Sequence, residues 1–139
     1  MQVDFYLLTT ADRLATWVFA ARLIEKVYRM GHLVQVALPT TTLTEFNQLL
    51  WTFRTDSFLP HDILTENNHD LPIILHDHPE PISTHPVLIN LTPQLPTHYP
   101  ETLQRIVELV SQEPTELAKS RERYRADQTL GFTLQTHRL

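Results

Sequence analysis

The chain contains no cysteine. That removes disulfides, thiolate zinc sites and cysteine nucleophiles together, and it fits a cytoplasmic protein. Only two glycines are present, Gly31 and Gly131, and neither follows the first predicted strand. The turn there reads Thr9, Thr10, Ala11, Asp12. Its side chains crowd the amides that a pyrophosphate must approach, so both a dinucleotide fingerprint and a phosphate-cradling loop are excluded. No serine sits between glycines, which removes a nucleophile elbow. No run approaches the roughly 18 apolar residues of a membrane span. Met1, Gln2, Val3 and Asp4 lack the basic region and apolar stretch of a secretory signal, so no membrane contact is expected.

What remains is one ordinary domain: 139 residues, 42% of them hydrophobic, enough to bury a real core. The net charge of −5 argues against broad binding to nucleic acid phosphates. The charge is unevenly spread. Residues 1–116 carry six Lys or Arg against fourteen Asp or Glu, a net −8, whereas residues 117–139 carry five against two, a net +3. A basic end on an acidic body suits a small anionic partner better than a long polyanion.

Val3 to Leu8 is apolar apart from Asp4 and reads as a strand buried on both faces. A helix is expected from about Ala11 to Met30, with Leu14, Trp17, Val18, Ala21, Ile24 and Tyr28 inward and Arg13, Arg22, Glu25 and Arg29 outward. Gly31 is its left-handed cap. Leu33 to Leu38 is the next strand, which completes a right-handed βαβ unit with parallel strands. Thr42 and Glu45 have the spacing of a capping box for a short helix with Leu43, Phe46, Leu49, Leu50 and Phe53 at helical period. Arg54, Thr55, Asp56 and Ser57 read as a solvated loop. Phe58 and Leu59 then stand before Pro60 with no periodic partners, either as a plug into the core or as a knob for another protein. The usual burial of Phe and Leu favours the plug.

Strands are expected at Leu71 to His76, Val87 to Leu91 and Gln104 to Val110, the last chosen over a helix because it is short and β-branched. A final helix runs from Pro114 to about Leu130, with Gly131 as its stop and a short strand at Phe132 to Leu134. Alternating strands and helices predict a three-layer α/β/α, Rossmann-like fold with a mostly parallel sheet and no phosphate-binding loop, as a single domain over 1–139.

Two constellations could carry chemistry. His69, His76, His78 and His85 lie in one proline-broken segment with Asp70 and Asp77 interleaved. His76 and His78 would share a strand face, a usable ligand pair for a small histidine-dependent metal protein or enzyme, but spacing supplies no third ligand. No catalytic pairing of carboxylates is visible, so neither a catalytic residue nor a cofactor is expected. In the last helix, Leu117, Arg121, Tyr124, Arg125 and Gln128 fall on one arc. A mixed apolar and guanidinium face suits a carboxylate beside a hydrophobic side chain, as at a peptide's C-terminus. The alternative is that Tyr124 packs inward while the arginines are merely solvated.

Several stretches taken in order are similar to one known family. Leu50 and Trp51 through Ser57, Phe58, Leu59, Pro60 and His61, then Arg121, Glu122, Arg123, Tyr124, then Gly131 to Leu134, and the opening Phe5, Tyr6, Leu7, Leu8, resemble the chi subunit of bacterial DNA polymerase III holoenzyme. The resemblance spans the whole chain. It implies a non-enzymatic clamp-loader accessory protein that binds the psi subunit and the acidic, phenylalanine-ended tail of single-stranded DNA-binding protein. Single-stranded DNA would be met only through that protein, and a helicase is a further candidate for the psi surface. Carried over residue by residue, the resemblance assigns Trp51, Val110, Arg121, Tyr124 and Arg125 to the tail pocket. Arg121 would hold the terminal carboxylate, and Arg125 would face the tail's aspartates. Phe58 becomes the knob for psi, with Leu59 beside it. One departure is Leu117, where some relatives carry lysine. Lys119 points about 160° away from Arg121 on an ideal helix.

Overall fold

A computed structural model of the chain describes residues 1–53, 58–96 and 98–139. The loop expected at Arg54 to Ser57 lies outside the described residues. In chain order the elements are β1 (Gln2–Leu7), α1 (Arg13–Arg29), β2 (Val34–Ala37), a 3₁₀ turn (Thr40–Thr42), α2 (Leu43–Thr52), β3 (His61–Ile63), β4 (Ile73–His76), β5 (Val87–Asn90), β6 (Arg105–Val110), α3 (Pro114–Thr129) and β7 (Thr133–Arg138). The strands form one sheet in the order β3-β4-β2-β5-β6-β1-β7, and every pairing is parallel. Interior strands such as Ile73, Ile74, Leu75 and Val87, Leu88, Ile89 are buried throughout, as a parallel sheet covered on both faces requires.

Each face has its own apolar layer. On the first, α1 and α2 pack through Trp17, Ala20, Ile24, Phe46 and Leu50 onto Leu8, Val36, Ile73, Leu75 and Ile89. On the second, Val3, Phe5, Leu88, Ile106 and Val110 lie under Leu103 and are joined by the half-buried Leu117 and Tyr124 of α3, with Phe132 and Leu134. The expected α/β/α layering is therefore present. Both glycines end helices in the left-handed region, at φ +88 and +81. Around each, the amide two residues past the cap reaches back into the last turn, His32 N–H to Val27 O and Phe132 N–H to Asp127 O, the Schellman arrangement. The chain's entire glycine content is spent on stopping α1 and α3.

Five local expectations are corrected. Leu14 does not join the core stripe of α1 but is 59% exposed. The helix seats on the fully buried Ala20 and Ala21, and Glu25, assigned outward, is buried. The capping box does not form: Thr42 donates its hydroxyl to Pro39 O at 3.0 Å, and Glu45 is drawn to Arg13 at 2.7 Å. Strand β3 was not anticipated, since three residues give no readable alternation. The last strand runs to Arg138, well past the expected Leu134.

Candidate functional site

Helix α3 begins at Pro114, whose missing N–H costs nothing in a first turn. Glu113 caps it, accepting from Thr115 N–H (3.2 Å) and Glu116 N–H (2.9 Å). These backbone bonds hold the Glu113 carboxyl below its usual range. Along the helix three arginines alternate in role. Arg123 is buried and fully engaged: Nε donates to Glu108 (3.1 Å), Nη1 to Pro93 O (3.1 Å) and Nη2 to Ser120 (3.1 Å). Burial pushes Glu108 up to about 7 despite Arg123 and a hydrogen bond from Asn90 at 2.9 Å. It pushes Asp127 up to about 6, with Arg123 opposing. Burial and the nearby Asp127 and Glu108 raise Tyr99 to about 12. Arg123 is thus the counter-charge of a buried acidic pair.

Arg121 and Arg125, two residues to either side, are exposed. Among the described residues neither meets a carboxylate. Between them Tyr124 is half-buried, its ring 5.1 Å from Phe5. Leu117, one turn before Arg121, rests on the same apolar layer. The expected arc therefore exists as a face with an apolar floor and two free guanidiniums. Helical spacing already set Arg123 off the arc, about 160° from each of its two arginines, but could not show that it is buried and paired with Glu108.

The remaining expected pocket residues do not all converge here. Val110 is buried in the layer beneath Tyr124 and forms its floor. Trp51 stands apart: it belongs to α2 on the first face, and the sheet lies between it and α3. There it is 45% exposed, 5.8 Å from Phe58 and 4.3 Å from His61. The Phe58–Leu59 pair splits. Leu59 is 1% exposed within the first-face core and is a plug, whereas Phe58 is 71% exposed. Buried His61 fastens this turn by donating Nδ1–H to Leu59 O at 2.6 Å. The result is a raised aromatic pair, Trp51 and Phe58, on a pinned base.

The comparisons with known proteins decide the family. The family profile described as DNA polymerase III chi subunit, HolC, matches residues 1–135. The chain is also 36% identical over 141 residues to DNA polymerase III subunit chi of Pseudomonas aeruginosa, covering 99% of this chain and 96% of that protein. The chain belongs to the DNA polymerase III chi subunit family. It is accordingly related to an accessory subunit of the replicative polymerase holoenzyme.

Elsewhere in this chi-family fold the buried histidines are engaged internally. His76 is buried with both ring nitrogens engaged: Nε2–H donates to Gln35 Oε1 (2.8 Å), and Nδ1 accepts from His78 N–H (3.1 Å). Burial holds it neutral, at about 4. Gln35 in turn bonds Ile82 N–H, Ile82 O and His85 O, so the pair pins the proline-rich segment 77–86. His85 bonds Leu71 O and Thr84. Among the described residues no three His, Asp or Glu side chains gather as metal ligands. A cleft of ≈ 400 Å³ opens at the C-terminal ends of the strands, lined by Arg13, Trp17, Asn90, Lys119 and Arg123. Doubly wound sheets bind ligands at such a place. Here the chain's own carboxylates cap both helix starts, Glu113 accepting from Thr115 and Glu116 N–H of α3 and Asp12 from Ala15 N–H of α1. No described helix is long and apolar enough to cross a membrane.

Proposed function

We propose that this chain is a non-catalytic accessory subunit of the clamp-loader complex, bridging the psi subunit to the C-terminal tail of single-stranded DNA-binding protein. The observation that carries the reading is the contrast within α3. Arg123 is consumed by the core, while Arg121 and Arg125 flank a half-buried tyrosine and meet no carboxylate among the described residues. An exposed guanidinium beside an aromatic floor receives a terminal carboxylate attached to a hydrophobic residue. Arg121 takes that carboxylate, Tyr124, Leu117 and the underlying Val110 supply the apolar floor, and Arg125 faces the tail's aspartates. Contact with single-stranded DNA is indirect, in keeping with the net charge of −5.

The psi subunit docks on the opposite face, on Phe58 and Trp51. Trp51 is thereby reassigned from the tail pocket to this patch. Leu59 serves it only by anchoring the turn from below, and a helicase using the same patch would compete with psi. The separation of the two surfaces by the sheet is what lets one small domain hold two partners at once. Titration of an acidic peptide ending in Pro-Phe tests the first half. Arg121→Ala weakens binding by roughly 1.5–3 kcal/mol, the worth of a charge-assisted bond, and an unchanged affinity rejects the pocket. For the second half, Phe58→Ala abolishes co-purification with psi and spares tail binding; loss of both means misfolding.

A further inference from the structure

The sheet has two edges, and they are finished differently. At one end, β3 is three residues long, follows Pro60 and carries the exposed Asp62. Short length, proline and charge are the devices by which proteins blunt an edge. At the other end, β7 is six residues, Thr133 to Arg138, without proline, acidic residue or bulge. Among the described residues nothing pairs with its outer side. The direction of its amides follows from two bonds. Thr133 N–H donates to Met1 O (3.0 Å) and Leu139 N–H to Leu7 O (3.4 Å), so the odd-numbered residues point into the sheet. By the two-residue period of a strand, Leu134, Thr136 and Arg138 then present N–H and C=O outward.

The even-numbered side chains lie on the same face as α3, since Leu134 and Phe132 join Tyr124 and Leu117 in one apolar layer. His137, by contrast, stacks on Tyr6 and bonds Asp4 on the first face. The unpaired edge therefore shares its face of the sheet with α3 and its exposed Arg121 and Arg125, and it ends in a third exposed arginine, Arg138. In residues 117–139 the buried Arg123 and Asp127 cancel. Lys119, Arg121, Arg125 and Arg138 are left exposed against Glu122.

We infer that the outer edge of β7 takes up an extended acidic peptide segment as an eighth strand, with Arg138 as an additional clamp for its carboxylates. This rests on the reading of α3 as the tail site and extends it: main-chain bonds to Leu134, Thr136 and Arg138 supply affinity that does not depend on the peptide's side chains. Charge complementarity selects the occupant, since Arg138 lies on the edge strand and Arg121 and Arg125 are exposed on the helix that covers the same face.

Thr136→Pro is the test. Its N–H points outward and forms no ladder bond in the free protein, so proline there is tolerated as on other edges. The expected result is an unchanged melting temperature with at least tenfold weaker binding of the acidic, Pro-Phe-ended peptide. A peptide series N-methylated at single positions gives a second readout on the unaltered protein. Methylation should weaken binding at every other position only, because alternate amides face β7. Arg138→Gln should weaken binding several-fold, less so at high salt. If the peptide binds through Arg121 but ignores both Thr136→Pro and methylation, the strand-addition inference fails while the tail site stands. If Arg121→Ala is also silent, the underlying reading fails with it. A dimer of the free protein that Thr136→Pro dissociates would assign the edge to a second copy and overturn the inference.

Discussion

Replacing Arg123 by methionine removes the positive centre of the cluster beneath α3 and keeps much of the side-chain volume. Three hydrogen bonds disappear, to Glu108, Pro93 O and Ser120. Glu108 and Asp127 then share a buried site without a counter-charge. Breaking a buried pair by deleting one partner costs roughly 3–5 kcal/mol, most of it from the stranded charge. The cost must depend on pH with a definite sign. Both carboxyls already have raised folded-state values, about 7 for Glu108 and about 6 for Asp127, against ordinary values of 4.5 and 3.8. A raised acid binds its proton more tightly in the native state, so stability declines as pH climbs from the ordinary value through the folded one. Removing Arg123 raises both further and steepens that decline. Urea unfolding followed by circular dichroism should give a loss of roughly 3–5 kcal/mol at pH 8. At pH 5, where both carboxyls hold protons, it should shrink to roughly 1–2 kcal/mol, the net worth of the bonds to Pro93 O and Ser120. Equal losses at the two pH values would refute the electrostatic account and leave only packing. Arg121→Ala is the matched control: exposed and without a carboxylate partner among the described residues, it should change stability by less than about 0.5 kcal/mol.

Other expectations follow from single contacts. Gln35→Leu strips the acceptor for His76 and Ile82 and the donor to Ile82 O and His85 O. It should cost roughly 2–4 kcal/mol and open segment 77–86 to limited proteolysis; unchanged resistance would count against the pinning role. Leu59→Ala should destabilise by roughly 2–5 kcal/mol as a cavity in the core, while Phe58→Ala leaves the melting temperature unmoved; the reverse order would contradict the plug-and-knob division. Burial draws the Asp4 carboxyl upward, but hydrogen bonds from His137, Arg105 and Gln2 outweigh it and lower it. That stabilisation is present above the ordinary value of 3.8 and lost as pH falls through the depressed one. Asp4→Asn should therefore cost about 1–2 kcal/mol near pH 7, a difference that narrows as the pH falls below 3.8; a gap that does not narrow on acidification would refute the assignment.

Much of the architecture was legible because its signals are local. Continuous runs such as Ile73, Ile74, Leu75 mark doubly covered strands, and the only two glycines mark where α1 and α3 stop. The absence of a third glycine after β1 ruled out the phosphate loop without any coordinates. β3 escaped notice because its pairing with β4, not its composition, makes it a strand. The capping box at Thr42 failed because Arg13, 32 residues away, competes for Glu45. Leu14 was misassigned because periodicity gives a stripe but not the angle at which a helix seats on its sheet.

The candidate site divides along the same line. Residue type and order placed a basic, aromatic arc on the last helix and an odd aromatic pair before Pro60, and they sufficed for the family. Which arginine is free and which is spent depends on Glu108, a residue on another strand, and Trp51 parts from Tyr124 only once the sheet stands between them. Spacing along one helix is a property of the chain. Burial, pairing and the side of the sheet are properties of contacts between distant segments, which exist only in the folded molecule.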